Sequence, residues 1–199
     1  MKTILQVNAS ILSTEGQSTR LANELVAVLD ADEVIVRDLA KDPVPHLTAE
    51  RFGAFITPPE KRTSEQDAVA RYSDLLISEI RAADTIVLGL PMYNFGVPSM
   101  LKAYFDHIAR AGVTFRYSEK GPIGLLTGKK VYVVATRGGL YQGTPLDTQT
   151  KYVRDFLAFL GITDVEFVYA EGLAISEAGK QASLEKARQA LRQLAPAYA

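Results

Sequence analysis

The stretch TIVLGLPMYNFGVPSMLKAYFDHIARAGVTF, residues Thr85–Phe115, decides the fold. It opens with a mostly apolar run that ends at Pro91, a pattern typical of a buried strand. A polar and aromatic segment with a glycine, Met92–Gly96, comes next, and apolar residues then recur at helical spacing. The stretch therefore predicts a buried strand, a loop and a helix. In α/β proteins, loops at the carboxyl end of a parallel strand are where ligands bind.

Strands and helices alternate along the rest of the chain. Five strands are predicted, at Thr3–Asn8, Glu33–Leu39, Asp84–Leu90, Lys130–Thr136 and Asp164–Ala170. Five helices are predicted, one capped by Ser18-Thr19 and four at Asp67–Ala82, Pro98–Ala111, Asp147–Leu160 and Ser183–Leu194. This alternation predicts an α/β, flavodoxin-like three-layer sandwich whose five-stranded parallel sheet has the order 2-1-3-4-5. The ends of strands one and three then lie side by side at the topological switch point.

Two long segments interrupt the alternation. Residues Ala40–Gln66 contain four prolines, charged residues, Phe52 and Phe55. They are interpreted either as an irregular surface excursion with one short helix or as a lid or dimer arm. Residues Gly112–Gly128 are predicted to form a second long loop.

Composition limits the classes of function. At 199 residues the chain is expected to form a single domain, residues 1–199. A net charge of −1 argues against nucleic-acid and anionic-membrane partners. The absence of cysteine and the presence of only two histidines exclude disulfides and argue against a metal site. The first residues lack a signal-peptide pattern, and no apolar run reaches membrane-spanning length, so a soluble, cytoplasmic protein is expected.

The loop after the first strand contains candidate anion-binding residues. Free N–H groups at a helix start, with nearby hydroxyls, favour a phosphate. The residues concerned are Ser10, Gly16, Gln17, Ser18 and Thr19. Plain helix capping is the alternative. The segment is neither a GxGxxG dinucleotide motif nor a Walker loop, so a mononucleotide phosphate is favoured.

The other two loops can frame a flat ring. The segment Met92-Tyr93-Asn94-Phe95 could lie edge-on to a heterocycle, although Tyr93 and Phe95 could also be core aromatics. After the fourth strand, Gly138-Gly139 allows close backbone approach, and Arg137 would lie at the ring's carbonyl side or on the surface.

The chain shows no nucleophile–base constellation. His107 is interpreted as a partly exposed or interface histidine. A cofactor must therefore carry the reaction.

With these residues assembled, the chain resembles the FMN-dependent NADH-azoreductase/NAD(P)H:quinone oxidoreductase family of the flavodoxin-like superfamily. The most specific segments are PMYNF (Pro91–Phe95), ARAGVTFRY (Ala109–Tyr117), TGKK (Thr127–Lys130), TRGG (Thr136–Gly139), FLAFLG (Phe156–Gly161) and AEG (Ala170–Gly172). The chain departs from the family pattern in places: Gly16 and Thr136 stand where many relatives have serine, and Gly96-Val97-Pro98 also differs from some relatives.

The resemblance implies a homodimer with one FMN per subunit. Ser10 and Gly16-Gln17-Ser18 would hold the phosphate, Met92–Phe95 would run along the isoalloxazine ring, and Thr136–Gly139 would close its far side. NAD(P)H would pass hydride to flavin N5 and leave, and a quinone or azo dye would then take its place in a ping-pong cycle.

Four aromatic residues are hypothesised to wall the substrate pocket. They are Phe115 and Tyr117, with Phe52 or Phe55 from the same or the other subunit. Two alternatives to an enzyme stay open, a flavodoxin-type electron carrier and a flavin-free scaffold. The near-neutral charge favours the enzyme over the carrier, because such carriers are strongly acidic.

Overall fold

The computed structural model describes residues 1–194 of the chain. Its strands are β1 (Thr3–Asn8), β2 (Glu33–Asp38), β3 (Thr85–Pro91), β4 (Phe115–Ser118), β5 (Gly121–Gly124), β6 (Lys130–Thr136) and β7 (Asp164–Ala170). Five of them form one parallel sheet in the order β2-β1-β3-β6-β7. This order is the predicted 2-1-3-4-5 topology, renumbered because β4 and β5 intervene in the chain.

Six α-helices occur in the described part. They are α1 (Gln17–Leu29), α2 (Ala49–Ile56), α3 (Ser64–Ala82), α4 (Ser99–Ile108), α5 (Thr148–Phe159) and α6 (Glu177–Gln193). Two short 3₁₀ turns are present at Ser13–Glu15 and Pro59–Lys61. Among residues 1–194, no helix combines the length and apolarity needed to cross a membrane. The predicted domain 1–199 extends over residues 195–199, which lie outside the described part.

The central strands β1, β3 and β6 are largely buried on both faces, because their side chains alternate between two apolar clusters. Ile4 packs with residues of α1 and α6 on one face. Its neighbour Leu5 packs with residues of α3, α4 and α5 on the other. Helices on both faces leave the two ends of the strands as the places where loops can form a site.

Residues 115–124 form an antiparallel hairpin, so the prediction of a continuous loop over Gly112–Gly128 is wrong. Gly121, at φ 110°, adopts a backbone conformation that side chains rarely tolerate. The hairpin packs tightly against the end of α5, where a Cβ on Gly124 would lie 2.0 Å from the Gly161 nitrogen. Strands of four residues are too short to show periodicity in the sequence.

Residues 40–66 contain one regular helix, α2, with Thr48 as its N-cap. The ring of Phe55 contacts His107 edge-on, with the ring centroids 5.6 Å apart, and the Arg110 guanidinium lies 5.1 Å from the Phe55 centroid. Phe52 is 52% exposed. The segment therefore follows the prediction of an excursion with one short helix, and a lid or dimer arm stays a prediction.

Three helix starts differ by more than one residue from their predicted positions, and one of them is α3, which begins at Ser64 and not at Asp67. The first helix begins at Gln17 with Gly16 as its N-cap, so Ser18 and Thr19 lie in its first turn and are not its caps. The last helix begins at Glu177, with Ser176 as its N-cap, and not at Ser183. Its first turn is polar and exposed, so no apolar position marked it in the sequence.

Candidate functional site

Three loops meet at the carboxyl edge of the sheet. They follow β1, β3 and β6, which are neighbours in the strand order. Residues 9–16 are called the first loop, residues 92–98 the second loop and residues 137–147 the third loop. Parallel strands end at the same edge, so the fold brings together loops that lie far apart in the chain. The residues proposed from the sequence for an anion and for a flat ring all lie on these loops or at the start of α1.

The start of α1 carries two buried hydroxyls without a hydrogen-bond partner. Ser18 and Thr19 are 0% and 1% exposed, and neither hydroxyl finds a partner within residues 1–194. The N-cap Gly16 contributes no side-chain hydrogen bond, and the first turn of α1 contains no acidic residue. The N–H groups of this turn are therefore available to an anion, together with two hydroxyl donors.

Gly89 allows this helix start to approach the sheet closely. A Cβ on Gly89 would lie 3.2 Å from the carbonyl oxygen of Ser18, closer than most Cβ contacts. Gly89 belongs to β3, the strand that leads into the second loop. The missing side chain therefore keeps the possible anion site next to that loop.

Ser10 connects the first loop to the second. Its hydroxyl oxygen lies 3.3 Å from that of Tyr93, and it accepts a hydrogen bond of 3.2 Å from the Leu12 N–H. The Tyr93 hydroxyl also accepts a hydrogen bond of 3.3 Å from the Ile11 N–H. Tyr93 is therefore not a plain core aromatic, because its hydroxyl binds the loop after β1.

Gly16 leaves the space that Ser10 occupies. A Cβ on Gly16 would lie 2.1 Å from the Ser10 hydroxyl oxygen. With Ser10 placed as it is, no side chain fits at residue 16. This steric limit matches the presence of glycine where many relatives have serine.

The second loop contains a tight and strained turn. Tyr93 and Gly96 exchange two backbone hydrogen bonds, of 3.2 and 2.9 Å. The two central residues, Asn94 and Phe95, have φ values of 49° and 61°. Asparagine tolerates the left-handed region, but phenylalanine there is unusual and costs free energy. Strain of this kind concentrates at functional sites.

The third loop is tied to the loop after β7. The carbonyl groups of Gly138 and Gly139 accept hydrogen bonds of 3.0 and 2.9 Å from the N–H groups of Ala174 and Gly172. The rings of Phe95 and Tyr141 meet edge-on at a centroid distance of 5.5 Å. The second and third loops are thereby in direct contact.

Arg137 does not lie on the surface, because its side chain is fully buried. The guanidinium pairs with Asp147 at 2.7 Å and with Glu171 at 3.1 Å, and it lies 5.0 Å from the ring centroid of Tyr169. Burial alone would raise the pKa of Asp147, but hydrogen bonds from Arg137 and Thr150 outweigh burial and lower it. The charge of Arg137 thus serves an internal ion-pair network.

The four predicted pocket walls differ in their exposure within the chain. Phe115 is 7% exposed and packs on Phe159 at a centroid distance of 4.3 Å, so it presents little surface within the single chain, and its role as a pocket wall stays a prediction. Phe55 is held between His107 and Arg110. Among the four aromatics only Phe52 and Tyr117 are exposed.

His107 is 0% exposed, so the interpretation as a partly exposed or interface histidine is wrong. Its Nδ1 lies 2.9 Å from the carbonyl oxygen of Ala103, and its Nε2 has no partner within the described residues. Burial lowers the pKa of His107, although the contact with Ala103 opposes that shift.

Sequence reasoning missed Thr148 and Gln149, at the start of α5. Gln149 is 1% exposed and donates hydrogen bonds of 2.9 Å to the carbonyl oxygens of both Pro91 and Gly96. The Thr148 hydroxyl donates to the carbonyl oxygen of Phe95. Polar residues in a first helical turn look like solvent-exposed positions in a sequence. Only the tertiary structure places them against the second loop.

An open groove of about 510 Å³ lies against Phe95. Its lining also includes His46, Lys102 and Tyr152. The groove combines aromatic surface with polar groups beside the second loop.

Comparison with known proteins shows the family to which the chain belongs. The profile of Flavodoxin_2, described as a flavodoxin-like fold, matches residues 2–195. The chain belongs to this family. Relatives of high similarity include an FMN-dependent NADH:quinone oxidoreductase of Cellvibrio japonicus, which is 57% identical over 181 residues. The matched residues are 89% of this chain and 91% of the relative. FMN-dependent NADH:quinone oxidoreductase 6 of Burkholderia lata is 56% identical over 195 residues, 96% of this chain and 98% of the relative.

Two solved structures of azoreductases superpose well on this chain. An FMN-dependent NADH-azoreductase from Bacillus anthracis, in complex with FMN, has a TM-score of 0.84 at 28% identity. An azoreductase from Bacillus anthracis strain Sterne has a TM-score of 0.85 at 27% identity. Both matches cover 98% of this chain and 100% of the other chain.

Proposed function

We propose that this protein is an FMN-dependent NAD(P)H oxidoreductase that reduces quinones and azo compounds. The observation that carries the proposal is the pair of buried, unpartnered hydroxyls of Ser18 and Thr19 at the start of α1, where three loops meet. Support comes from the relatives above 55% identity that are named FMN-dependent NADH:quinone oxidoreductases.

The residues at the start of α1 fit the phosphate of FMN. Ser10, Gly16, Gln17 and Ser18 are the proposed phosphate-binding residues, and the Thr19 hydroxyl joins them. A phosphate at a helix N-terminus is stabilised by free N–H groups and by the helix dipole. It would also satisfy buried hydroxyls that otherwise cost free energy.

The second and third loops fit the ring. Met92–Phe95 would run along one edge, and Thr136–Gly139 would close the far side through their backbone. The Arg137 side chain is occupied by Asp147 and Glu171, so its positive charge would act on the ring only indirectly. The role of these residues is to hold the ring flat and to leave one face open.

Bound FMN would supply two-electron hydride transfer through N5, and we propose that NAD(P)H and the acceptor would use the site in turn in a ping-pong cycle. The chain's own residues bind and orient. The Tyr93 hydroxyl is held against Ser10, which fixes the two loops relative to each other. The groove beside Phe95 offers an aromatic acceptor space next to the second loop.

A homodimer with one FMN per subunit completes the proposal. Phe52 and Tyr117 are 52% and 73% exposed in the single chain, more than large aromatic side chains usually are. We propose that they contact the substrate, with Phe52 contributed by one subunit to the site of the other.

The test is the absorption spectrum of the purified protein after addition of FMN, followed by steady-state kinetics. We expect one tightly bound FMN per chain, a dimer in analytical ultracentrifugation, and oxidation of NADH by a benzoquinone and by an azo dye without a partner protein. A protein that binds no FMN overturns the proposal. A flavoprotein that transfers electrons only to another protein would support the electron-carrier alternative. Parallel assays with NADPH establish the preferred nicotinamide.

A further inference from the structure

The amide group of Gln149 bridges both ends of the second loop. Its Nε2 donates to the carbonyl oxygens of Pro91 and Gly96, each at 2.9 Å. These two residues bracket Met92–Phe95, the segment proposed to lie along the flavin ring. One side chain thereby fixes the distance between the two ends of that segment.

A second hydrogen bond supports the strained residue of the same loop. The Thr148 hydroxyl donates to the carbonyl oxygen of Phe95, whose φ is 61°. A phenylalanine in this conformation persists only when its surroundings hold it there. The first two residues of α5 therefore bind the carbonyl groups of Phe95 and Gly96 in the second loop and of Pro91 at the end of β3.

The start of α5 is itself fixed to the third loop. Asp147, the N-cap of α5, pairs with the buried Arg137, which also pairs with Glu171. The Glu171 carboxylate in turn accepts hydrogen bonds of 2.9 Å from the N–H groups of Tyr141 and Gln142. A series of polar contacts therefore links the third loop through the start of α5 to the second loop.

We propose that Gln149 is a positioning residue for flavin binding, supported by Thr148, and that it sets the second loop against the third. This inference rests on the proposed function. Gln149 acts through the backbone of the loop and touches no reacting atom. Thus α5 would control how the two sides of the ring site face each other.

The chemistry of glutamine suits this role. Its amide nitrogen has two N–H donors, which match the two carbonyl oxygens, whereas a glutamate carboxylate could only repel them. The Gln149 Oε1 is buried and has no partner within the described residues. An unsatisfied buried acceptor is costly, so a residue whose only role was to fill space would be better apolar.

The test uses Gln149→Met, which keeps the side-chain length and removes both donors. The matched control is Gln189→Met on the exposed side of α6. Two quantities are measured: amide hydrogen exchange of residues 92–96 in the apoprotein, and FMN affinity by fluorescence titration with the absorption maxima of the bound flavin. In Gln149→Met we expect at least tenfold faster exchange in this segment, roughly tenfold weaker FMN binding and shifted flavin maxima, because two hydrogen bonds are lost.

The control should match the unmodified protein in both measurements. Unchanged exchange and unchanged FMN affinity in Gln149→Met overturn the proposal, because they would show that the residue only fills space. If Gln149→Met does not fold, Thr148→Val carries the test. It should accelerate exchange at residues 95–96 and weaken FMN binding about threefold, and no change in either refutes the positioning role. If the unmodified protein binds no FMN, the proposed function fails, and the exchange measurement alone still decides whether Gln149 holds the loop.

Discussion

The hydroxyl oxygens of Ser10 and Tyr93 lie 3.3 Å apart, although 83 positions separate the two residues in the chain. They meet because β1 and β3 are neighbours and end at the same edge of the sheet. Each residue belongs to a loop proposed to contact a different part of FMN. Their contact joins the proposed phosphate and ring sites into one.

Removal of the Ser18 hydroxyl should separate flavin affinity from stability. Because that hydroxyl is buried and has no partner within the described residues, Ser18→Ala is expected to leave the free energy of unfolding of the apoprotein unchanged or to raise it by up to about 1 to 3 kcal/mol. FMN affinity should fall roughly tenfold, because a hydrogen bond to a charged phosphate is lost. Urea denaturation of the apoprotein and fluorescence titration with FMN measure the two effects.

Ser73→Ala is the matched control for that experiment. Ser73 is as buried as Ser18, but its hydroxyl donates to the carbonyl oxygen of His107 at 2.5 Å. Ser73 belongs to α3 and lies outside the three loops in the sequence. The Ser73→Ala variant should lose about 1 to 3 kcal/mol of stability and keep the FMN affinity of the unmodified protein. Equal losses of FMN affinity in both variants would argue against a specific role for Ser18.

The buried guanidinium of Arg137 is expected to be essential for stability. Arg137→Met leaves Asp147 and Glu171 without their common cation, which should cost about 3 to 5 kcal/mol at pH 7. Arg71→Met, which removes an exposed ion pair with Asp67, should cost less than about 1 kcal/mol. Chemical denaturation of both variants gives the comparison.

The effect of Arg137→Met should depend on pH. In the native protein the pKa of Asp147 is lowered, so its contribution to stability is present above its unfolded pKa and is lost as pH falls through the folded pKa. Without Arg137 the Asp147 carboxylate is buried without a cation beside it, so its protonation removes the cost of the buried charge. The stability difference between the two proteins should therefore shrink between pH 5 and about pH 3. A stability difference that does not change with pH would contradict the pairing of Asp147 with Arg137.

His107 should make the native state sensitive to mild acid. Its pKa is lowered by burial, so below the unfolded value the unfolded chain binds a proton that the folded chain does not. Stability should decline as pH falls from about 6.5, by up to about 1.4 kcal/mol per pH unit. His107→Gln should remove this slope, and His46→Gln, at an exposed position, should retain it. Denaturation curves between pH 5 and 8 test the pair of variants.

Phe115 and Tyr117 should behave differently although both were predicted to wall the pocket. Phe115→Ala is expected to destabilise the protein by about 3 to 5 kcal/mol, because it removes a buried ring that packs on Phe159. Tyr117→Ala, at a 73% exposed position, should leave the free energy of unfolding nearly unchanged and raise the KM for the acceptor. An unchanged KM would remove Tyr117 from the proposed pocket.

The sequence by itself determined the five strands of the main sheet and their order. Runs such as Thr3–Asn8 and Lys130–Thr136 are long and apolar enough to identify a buried parallel strand, and both were predicted at their observed bounds. The order of strands follows from the alternation with helices and from the handedness of the crossovers. The loops at the carboxyl edge follow from that order, so the sequence also indicated where a site would form.

Only the tertiary structure decided which of the candidate side chains are buried and which are free. The burial of Arg137, Phe115 and His107 depends on partners far away in the chain, and no local pattern records such contacts. Gln149 lies against the second loop for the same reason, although its sequence context resembles any exposed first turn of a helix. Periodicity reports how a residue faces its own strand or helix, whereas hydrogen bonds and ion pairs between loops depend on how those elements pack together.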